Sequence, residues 1–492
     1  MRTAYSVETV RAAERELIAR LPEGALMQRA AAGLAAVCAG LLRKVYGARV
    51  VLLVGPGDNG GDALYAGARL ARRGAGVTAV AMDPERIHGG GLRALLAAGG
   101  RLADGVPARA DLVLDGLVGI GGRGGLRPAA AALVERIPAG AVVVAVDLPS
   151  GVDADTGEVA GAAVRADVTV AFGAYKPGLL IDPGASRAGV VRLVDIGLSL
   201  PEPEAEALQD AEVAALLPVP TASSDKYRRG VVGVVAGSSQ YPGAAVLAVS
   251  GALRGGAGAV RYVGPAADAV LARYPETLIG RGRVQAWVVG PGLGTGRAAE
   301  VAEVLADPVP VLVDADGLRG LDPEVLRGRP APTLLTPHAG EAAALLGASR
   351  EEVEAARLTS VRALAVKYGA VALLKGSTTL VAAAGGPVRV NPTGTPWLAT
   401  AGSGDVLSGL TGSLLAAGLD ALDAASVGAY LHGLAARRAA SGAPLLAQHI
   451  ADSLPEAWRQ PGASEVVTHD EVQRLKPHVK RAAEPALAVD ED

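Results

Sequence analysis

The stretch VLLVGPGDNGGDALYAGARL, residues 51–70, joins an apolar run, a glycine-rich turn and an amphipathic run. An apolar run without polar alternation is typical of a buried strand in a parallel sheet. Glycines let the backbone approach a ligand, and a following helix N-terminus offers N–H groups to an anion. The stretch therefore predicts an α/β fold. Its turn indicates either a nucleotide site or a tight strand–helix turn capped by Asp58, Asn59 or Asp62.

The same alternation of strand-like and helix-like runs extends along the 492 residues, which are enough for two or more domains. A first set ends near VVRLVDIGL, residues 190–198, and a second begins at GVVGVVAGS. Between them SLPEPEAEALQD, residues 199–210, has no strand pattern and is predicted to be a linker. We predict domains over residues 1–205 and 206–476, and a disordered tail over residues 477–492.

Composition excludes several classes of protein. The net charge of −3 provides no basic footprint for nucleic acid. A single cysteine, Cys38, excludes a disulfide framework or a cysteine metal cluster, and its apolar neighbours predict burial. The N-terminus is charged throughout, unlike a signal peptide, and no long uncharged apolar stretch suggests a membrane span. We expect a soluble cytoplasmic protein without nucleic-acid or membrane partners.

Polar residues follow the predicted strands of the first half. Asp115 ends one strand and precedes a glycine loop over residues 119–125, and Asp147 and Ser150 follow another strand. The carboxyl ends of parallel strands face one crevice, where ligands bind. The oxygen donors Asn59, Asp115 and Ser150 suit a hard cation rather than zinc. A chance gathering of capping residues is the alternative.

The second half carries GSGD, residues 402–405, before an apolar helix-like run. An open helix N-terminus stabilises charge on a transferred phosphate, and Asp405 would accept a proton there. The alternative is that Asp405 is only an N-cap, worth about 1 kcal/mol. Lys375 and its Gly-Ser-Thr-Thr turn suit nucleotide phosphates. His338, at another strand end, is either a substrate partner or a capping histidine.

Four motifs of the first half, GPGDNGGDAL, DGLVGIGG, VDLPSGVDADTG and FGAYKPG, together resemble the NAD(P)H-hydrate epimerase domain. The resemblance implies a Rossmann-like three-layer fold that interconverts the R and S epimers of hydrated NADH and NADPH (NADHX and NADPHX). It implies a potassium ion (K⁺) bound by Asn59, Asp115 and Ser150, and Asp147 as the acid/base group. The implied substrate contacts are Asp58, Asn59, Gly60, Gly61, Asp62, Gly119, Ile120, Gly121, Gly122, Arg123, Gly124, Gly125 and Asp147.

Motifs of the second half, including DKYRRG, GPGLG, VDADGL, LTPHAGE, LKGSTT and ATAGSGDVLSG, resemble ADP- or ATP-dependent NAD(P)H-hydrate dehydratases, which have a ribokinase-like α/β fold. The resemblance implies that Asp405 deprotonates the hydrate hydroxyl, which attacks the terminal phosphate of the co-substrate ADP in the presence of Mg²⁺. Elimination then yields NAD(P)H, AMP and phosphate. The implied hydrate contacts are Ala244, Gly294, His338 and Asp405, and the implied nucleotide contacts are Lys375, Gly376, Ser377, Thr378, Thr379 and Gly404.

The two resemblances in one chain imply a bifunctional enzyme of metabolite repair, and we expect it to be a homo-oligomer. One alternative is a small-alcohol kinase for a vitamin precursor, on the same ribokinase-like fold. The other is an inactive nucleotide-binding module, which is motivated by two departures from the family pattern. Asp58 adds negative charge near an anionic substrate. Trp397 places an indole near the helix N-terminus that is predicted to bind phosphate.

Overall fold

The computed structural model describes residues 1–459. The described residues divide into two compact units, one containing residues 4–202 and the other containing residues 1–3 and 203–459. The end of the second predicted domain and the predicted tail, residues 477–492, lie outside the described residues.

The strands and helices alternate along both units. In chain order the strands are β1 Arg2–Ala4, β2 Arg49–Val54, β3 Gly76–Ala81, β4 Arg101–Ala103, β5 Leu112–Gly116, β6 Val142–Val146, β7 Val168–Phe172, β8 Val190–Val194, β9 Ala205–Ala207, β10 Val231–Val235, β11 Ala259–Val263, β12 Leu278–Ile279, β13 Ala286–Val289, β14 Val311–Val313, β15 Thr333–Leu335, β16 Val371–Leu374, β17 Thr379–Ala382 and β18 Val388–Asn391. The helices are α1 Val7–Ile18, α2 Ala25–Leu41, α3 Asp58–Arg72, α4 Gly89–Ala97, α5 Pro128–Val134, α6 Ala185–Ala188, α7 Asp210–Leu216, α8 Pro242–Arg254, α9 Ala267–Arg273, α10 Ala298–Leu305, α11 Pro323–Arg327, α12 Ala339–Leu346, α13 Arg350–Ala355, α14 Arg357–Tyr368, α15 Ser403–Ala416, α16 Ala421–Ala440 and α17 Ala447–Arg459.

The N-terminal unit is built on a seven-stranded sheet in the order β4-β3-β2-β5-β6-β7-β8. All of its neighbouring strands are parallel. The strand order reverses between β2 and β5, which is the doubly wound arrangement of Rossmann folds. Ligands bind such sheets at the carboxyl ends of the strands that flank this reversal.

Both faces of this sheet are covered, which explains its valine-rich strands without polar alternation. On one face Leu52 clusters with Cys38 of α2 and Leu64 of α3. On the other face Val51 clusters with Ala130 of α5. The unit therefore has three layers. Cys38 is buried, as predicted, and burial raises the pKa of its thiol to about 12.

The second unit is built on an eleven-stranded sheet in the order β1-β9-β18-β17-β16-β15-β14-β13-β10-β11-β12. Within the sheet, the seven adjacent strands β12-β11-β10-β13-β14-β15-β16 pair in parallel. Strand β17 pairs antiparallel with both of its neighbours, β16 and β18. The order reverses between β10 and β13, so a second ligand crevice is expected there. The division between the two units falls inside the predicted linker over residues 199–210. The prediction that this segment contains no strand is wrong, because β9 lies within it and pairs with β18.

Small residues let the helices of the second unit pack closely. A side chain on Gly251 of α8 would collide with the Val406 carbonyl of α15, and one on Gly409 would collide with the Ala248 carbonyl. The alanine- and glycine-rich composition therefore serves backbone-to-backbone packing beneath the start of α15. Among residues 1–459 no helix is both long and apolar enough to span a membrane.

Candidate functional sites

The predicted oxygen donors of the first unit lie at the carboxyl ends of β2, β5 and β6. Asp115 is fully buried, and its two carboxylate oxygens accept hydrogen bonds from Ser150 N at 2.8 Å and Ser150 Oγ at 2.6 Å. Asn59 is the second residue of α3, and a methyl group on Gly119 would lie 3.5 Å from Asn59 Oδ1. The structure therefore brings Asn59, Asp115 and Ser150 to one crevice, as the sequence predicted.

This crevice contains buried polar atoms that the rest of the described chain does not satisfy. Burial raises the pKa of Asp115 to about 6, although hydrogen bonds from Ser150 and Leu117 lower it. Asn59 Nδ2 and Asp62 Oδ1 have no hydrogen-bond partner among the described residues. Buried polar groups without partners are rare in proteins, and at such a crevice they indicate a ligand.

Asp147 is held next to this crevice in a strained conformation. Its φ is 66°, in the left-handed region that few residues other than glycine adopt. Asp147 Oδ1 accepts hydrogen bonds from Lys176 Nζ at 2.5 Å and from Phe172 N at 2.9 Å. Lys176 is 1% exposed. The motif FGAYKPG contains Lys176, but the sequence did not single this residue out.

Helix α1 covers the glycine loop over residues 119–125. Val10 of α1 belongs to a small apolar cluster against which Ile120 packs. A side chain on Gly121 would collide with the Arg11 guanidinium. Glu14, one turn further along α1, has a raised pKa because of burial and the nearby Asp147 carboxylate. Arg11 and Glu14 are therefore additional residues of this site that the sequence did not indicate.

Carboxylates dominate the electrostatics of this site. The pKa of Asp62 is raised well above its ordinary value by burial and then by the charges of Asp147, Asp58 and Glu14. The start of α3 is uncapped, because its N-cap is Gly57 and no side chain caps it. The predicted capping by Asp58, Asn59 or Asp62 is therefore wrong, and the first N–H groups of α3 are open to a ligand.

The remaining predicted glycines have other neighbours. A side chain on Gly60 would collide with the Gly55 carbonyl, and one on Gly61 would meet Met27 and His88. These two glycines allow α3 to start close to β2 and α2. Gly122 N donates to the Gly119 carbonyl, and Gly125 lies against the backbone of Gly161. Arg123 and Gly124 complete this turn, and Gly124 has a φ of 75°.

In the second unit the helix predicted to bind phosphate begins at Ser403. Its N-cap is Gly402, with a φ of 85° and no capping side chain. The N-cap alternative for Asp405 is therefore wrong, since Asp405 lies in the first turn. Burial and the Asp314 charge raise the pKa of Asp405 to about 7, and Lys375 lowers it. A methyl group on Gly404 would lie 3.4 Å from Lys375 Nζ, so the open helix end and the lysine are adjacent.

Lys375 is anchored by carboxylates. Its Nζ lies 2.7 Å from Asp314 Oδ1 and 3.8 Å from Glu341 Oε2. Burial lowers the pKa of Lys375, but Asp314 and Glu341 outweigh it and the pKa is raised. Asp314 Oδ2 accepts a second hydrogen bond, from Ser408 Oγ at 2.6 Å. VDADGL contains Asp314, but the sequence did not assign it a role.

His338 is a capping residue, as one of the two alternatives proposed. It is the N-cap of α12, and its Nδ1 accepts from Gly340 N at 3.0 Å and from Glu341 N at 3.2 Å. Its side chain is nevertheless 60% exposed and lines a cavity of about 560 Å³. Its Nε2 lies 3.4 Å from Glu341 Oε1. Capping and ligand contact are compatible at His338, because the cap uses Nδ1 and most of the ring is exposed.

The other residues predicted to bind the hydrate or the nucleotide lie on neighbouring segments of the second unit. Gly294 N donates to Asp316 Oδ2 at 2.9 Å, and a side chain on Gly292 would collide with Ala244. These contacts place Ala244 and Gly294 at the carboxyl ends of β10 and β13. Thr379 Oγ1 donates to the Gly376 carbonyl at 3.2 Å.

A buried arginine shapes the predicted nucleotide turn. Arg357 Nη2 lies within hydrogen-bond distance of the carbonyls of Leu374, Lys375 and Thr378, so it fixes the turn that contains Ser377. Trp397 lies in the turn Pro396–Leu398 before α15 and is 42% exposed. Neither the role of Arg357 nor the exposure of Trp397 could be read from local sequence.

Comparison with known proteins agrees with the families predicted for both halves of the chain. Residues 23–178 match the family described as the YjeF-related protein N-terminus, and residues 232–456 match the family described as NAD(P)H-hydrate dehydratase. A bifunctional NAD(P)H-hydrate repair enzyme from Mycobacterium leprae is 51% identical over 458 residues, covering 90% of this chain and 95% of the relative. The chain belongs to the bifunctional NAD(P)H-hydrate repair enzyme family. This membership confirms the predicted succession of a Rossmann-like and a ribokinase-like unit.

Members of the bifunctional repair enzyme family are also found at lower sequence identity. The relative from Moorella thermoacetica is 37% identical over 463 residues, covering 84% of this chain and 87% of its own. Among solved structures, an ADP/ATP-dependent NAD(P)H-hydrate dehydratase from Bacillus subtilis, co-crystallized with ATP/Mg²⁺, is 31% identical. It covers 51% of this chain and 96% of its own length, with a TM-score of 0.48.

Proposed function

We propose that this chain repairs NADHX and NADPHX in two steps. The N-terminal unit interconverts the R and S epimers, and the second unit dehydrates the S epimer at the expense of ADP, yielding NAD(P)H, AMP and phosphate. The observation that supports the second step best is the position of Asp405. It is a half-buried carboxylate in the first turn of an uncapped helix, next to the Lys375 ammonium.

The dehydratase site suits a proton transfer coupled to phosphoryl transfer. Asp405, with a pKa of about 7, is basic enough to accept the proton of the hydroxyl on the hydrated ring. The oxygen then bonds to the terminal phosphorus of ADP while the bond from that phosphorus to the AMP oxygen breaks. The N–H groups at the start of α15 and the Lys375 ammonium stabilise the charge of the transferred group. Loss of phosphate and of a ring proton then restores the reduced nicotinamide.

The donor set near Lys375 fits Mg²⁺ bound together with a nucleotide. This ion keeps several waters and takes one or two carboxylates besides the phosphates. Glu341, partly exposed at the start of α12 and 3.8 Å from Lys375 Nζ, is the carboxylate that we expect to hold it. When bound, the ion would neutralise phosphate charge and orient the terminal phosphate.

The epimerase crevice fits K⁺. Asn59, Asp115 and Ser150 supply neutral and anionic oxygens, which hard cations prefer. Among residues 1–459 no cationic side chain forms an ion pair with the buried Asp115 carboxylate, and a bound K⁺ would stabilise its charge. We propose Asp147 as the acid/base group, oriented by Lys176. The Asp58–Asp62 turn and the Gly119–Gly125 loop would contact the substrate.

The decisive experiment uses pure R and S hydrates with ADP and follows the absorbance of reduced nicotinamide. We expect NADH to form from the S epimer directly and from the R epimer after epimerisation. Parallel reactions with ATP decide the nucleotide preference. Phosphorylation of a vitamin-type alcohol without NADH recovery would establish the kinase alternative, and binding of hydrate and ADP without turnover would establish the inactive module.

We also propose that the protein forms a homo-oligomer and that it is located in the cytoplasm. Light scattering after size-exclusion chromatography measures the oligomeric state, and cell fractionation measures the location.

A further inference from the structure

Three elements of the dehydratase unit meet at one buried carboxylate. Asp314 directly follows β14 and is 1% exposed. One of its oxygens lies 2.7 Å from Lys375 Nζ, at the end of β16, and the other lies 2.6 Å from Ser408 Oγ, in α15. These partners are 61 and 94 residues away along the chain. Both carboxylate oxygens are therefore occupied by the protein.

The backbone of Asp314 is also fixed. Its N–H donates to the Val289 carbonyl of β13 at 3.0 Å, and its carbonyl accepts from Gly317 N at 3.0 Å. Gly290, with a φ of 128°, lies so close to the Asp314 carbonyl that any side chain there would collide with it. A carboxylate on so rigid a support holds its partners at defined positions.

Ser408 extends this connection to the start of α15. Its Oγ lies 3.0 Å from the Gly404 carbonyl as well as 2.6 Å from Asp314 Oδ2. Gly404 is the residue next to Lys375 Nζ at the open helix end. The carboxylate therefore links the lysine to the helix turn that carries Asp405.

We infer that Asp314 is a positioning residue of the dehydratase, which fixes Lys375 and the first turn of α15 at the separation that phosphoryl transfer requires. The inference rests on the proposed dehydratase function and concerns a residue that does not itself touch substrate. A buried ion pair is costly unless further hydrogen bonds offset its desolvation, and Asp314 accepts such a bond from Ser408 Oγ.

The charged surroundings of Asp405 make this inference testable by pH. Asp314 and Asp316, at the end of β14, raise the pKa of Asp405, and Lys375, at the end of β16, lowers it. From α16, His432 faces Ser403 and Lys375, and burial lowers its pKa to about 4, so it is neutral at the working pH. Helices α8 and α17 pack near this turn through apolar side chains, Leu247 and Ala447. Removing the Asp314 charge should therefore lower the pKa of Asp405.

The test compares Asp314→Asn with Ser408→Ala, which preserves the Asp314 charge. For Asp314→Asn we expect kcat with the S hydrate to fall about tenfold or more, because Lys375 and α15 lose their common anchor. The acidic limb of the kcat/KM profile should move to lower pH. Ser408→Ala should lower kcat several-fold without moving that limb. Far-UV circular dichroism and urea unfolding of the same samples show whether the dehydratase unit of each variant is folded.

Nucleotide affinity gives a readout that does not require turnover. Calorimetric titration with ADP should show weaker binding by Asp314→Asn than by the unaltered chain, since Lys375 is displaced. A folded Asp314→Asn with unchanged kcat, pH profile and ADP affinity would overturn the inference. If Asp314→Asn does not fold, an unchanged kcat in Ser408→Ala overturns it. Absence of dehydration by the unaltered chain would refute the proposed function, and the ADP titration would still decide the role of Asp314.

Discussion

Lys176 Nζ lies 2.5 Å from Asp147 Oδ1, and the lysine is fully enclosed by the N-terminal unit. The same ammonium group donates to the Phe172 carbonyl at 3.1 Å, so two strand ends are connected through it. A buried ammonium needs a counter-ion, and a carboxylate on a strained backbone needs support. The pair supplies both and fixes the direction of the Asp147 side chain.

Replacing Lys176 by Met should inactivate the epimerase and destabilise its unit. The variant leaves Asp147 without its cation, and removing one partner of a buried ion pair costs about 3–5 kcal/mol. Urea unfolding measures the stability, and conversion of R to S hydrate measures the activity. Lys44→Met, at an exposed lysine, is the matched control and should change neither. Full epimerase activity in Lys176→Met would contradict the orienting role.

Asp405→Asn should abolish dehydration and leave epimerisation intact. The amide cannot accept the hydroxyl proton, and loss of a general base lowers rates by about 100- to 10,000-fold. NADH recovery measures the first activity, and exchange between R and S hydrates measures the second. Asp268→Asn, at an exposed aspartate in the first turn of α9, is the matched control. Loss of both activities in folded Asp405→Asn would show that the two units are not independent.

The dehydration rate should rise with pH up to about neutrality. Asp405 must be ionised to act as a base, and burial together with Asp314 raises its pKa to about 7. Its activity should therefore fall about tenfold for each pH step of one below that value and level off above it. Initial rates at saturating ADP, corrected for spontaneous hydrate decay, give the profile. A flat profile between pH 5 and 8 would mean that another group accepts the proton.

K⁺ should stabilise the epimerase unit at neutral pH more than at acidic pH. Burial raises the pKa of Asp115 to about 6 in the folded state, so the unit loses stability as pH rises from about 4, the ordinary pKa of Asp, to about 6, and loses no more above that value. A cation bound to the carboxylate offsets this loss. The measurement is Tm in KCl against tetramethylammonium chloride at equal ionic strength, at pH 5 and pH 7.5. Equal Tm values in the two salts at pH 7.5 would argue against the K⁺ site.

Gly404→Ala should weaken nucleotide binding without weakening the fold. The new methyl group would lie 3.4 Å from Lys375 Nζ, within the proposed phosphate site. Alanine in place of glycine favours a helix by about 0.5–1 kcal/mol, so Tm should hold or rise. ADP titration measures the affinity. Gly385→Ala, where the methyl group meets no neighbour, is the control. Unchanged ADP affinity would place the phosphate elsewhere.

Much of the architecture could be predicted from local pattern. Residues 51–70 form strand β2, an uncapped glycine turn and helix α3, as their apolar and glycine spacing indicates. Asp115 and Ser150 also meet as predicted, because parallel strands bring their carboxyl ends to one edge. A single strand–turn–helix unit is a short-range feature, so its residues specify it directly.

Other features depend on the order in which distant segments pair. The segment predicted as a linker forms β9 because β18, far along the chain, offers it a partner. Asp314 joins Lys375 and Ser408 across 61 and 94 residues, and Lys176 reaches Asp147 across 29 residues. The sequence by itself determined most of the strands and helices and the chemistry available at each strand end. Only the tertiary structure decided which buried charges share a partner, because that depends on sheet order and helix packing, which no local spacing encodes.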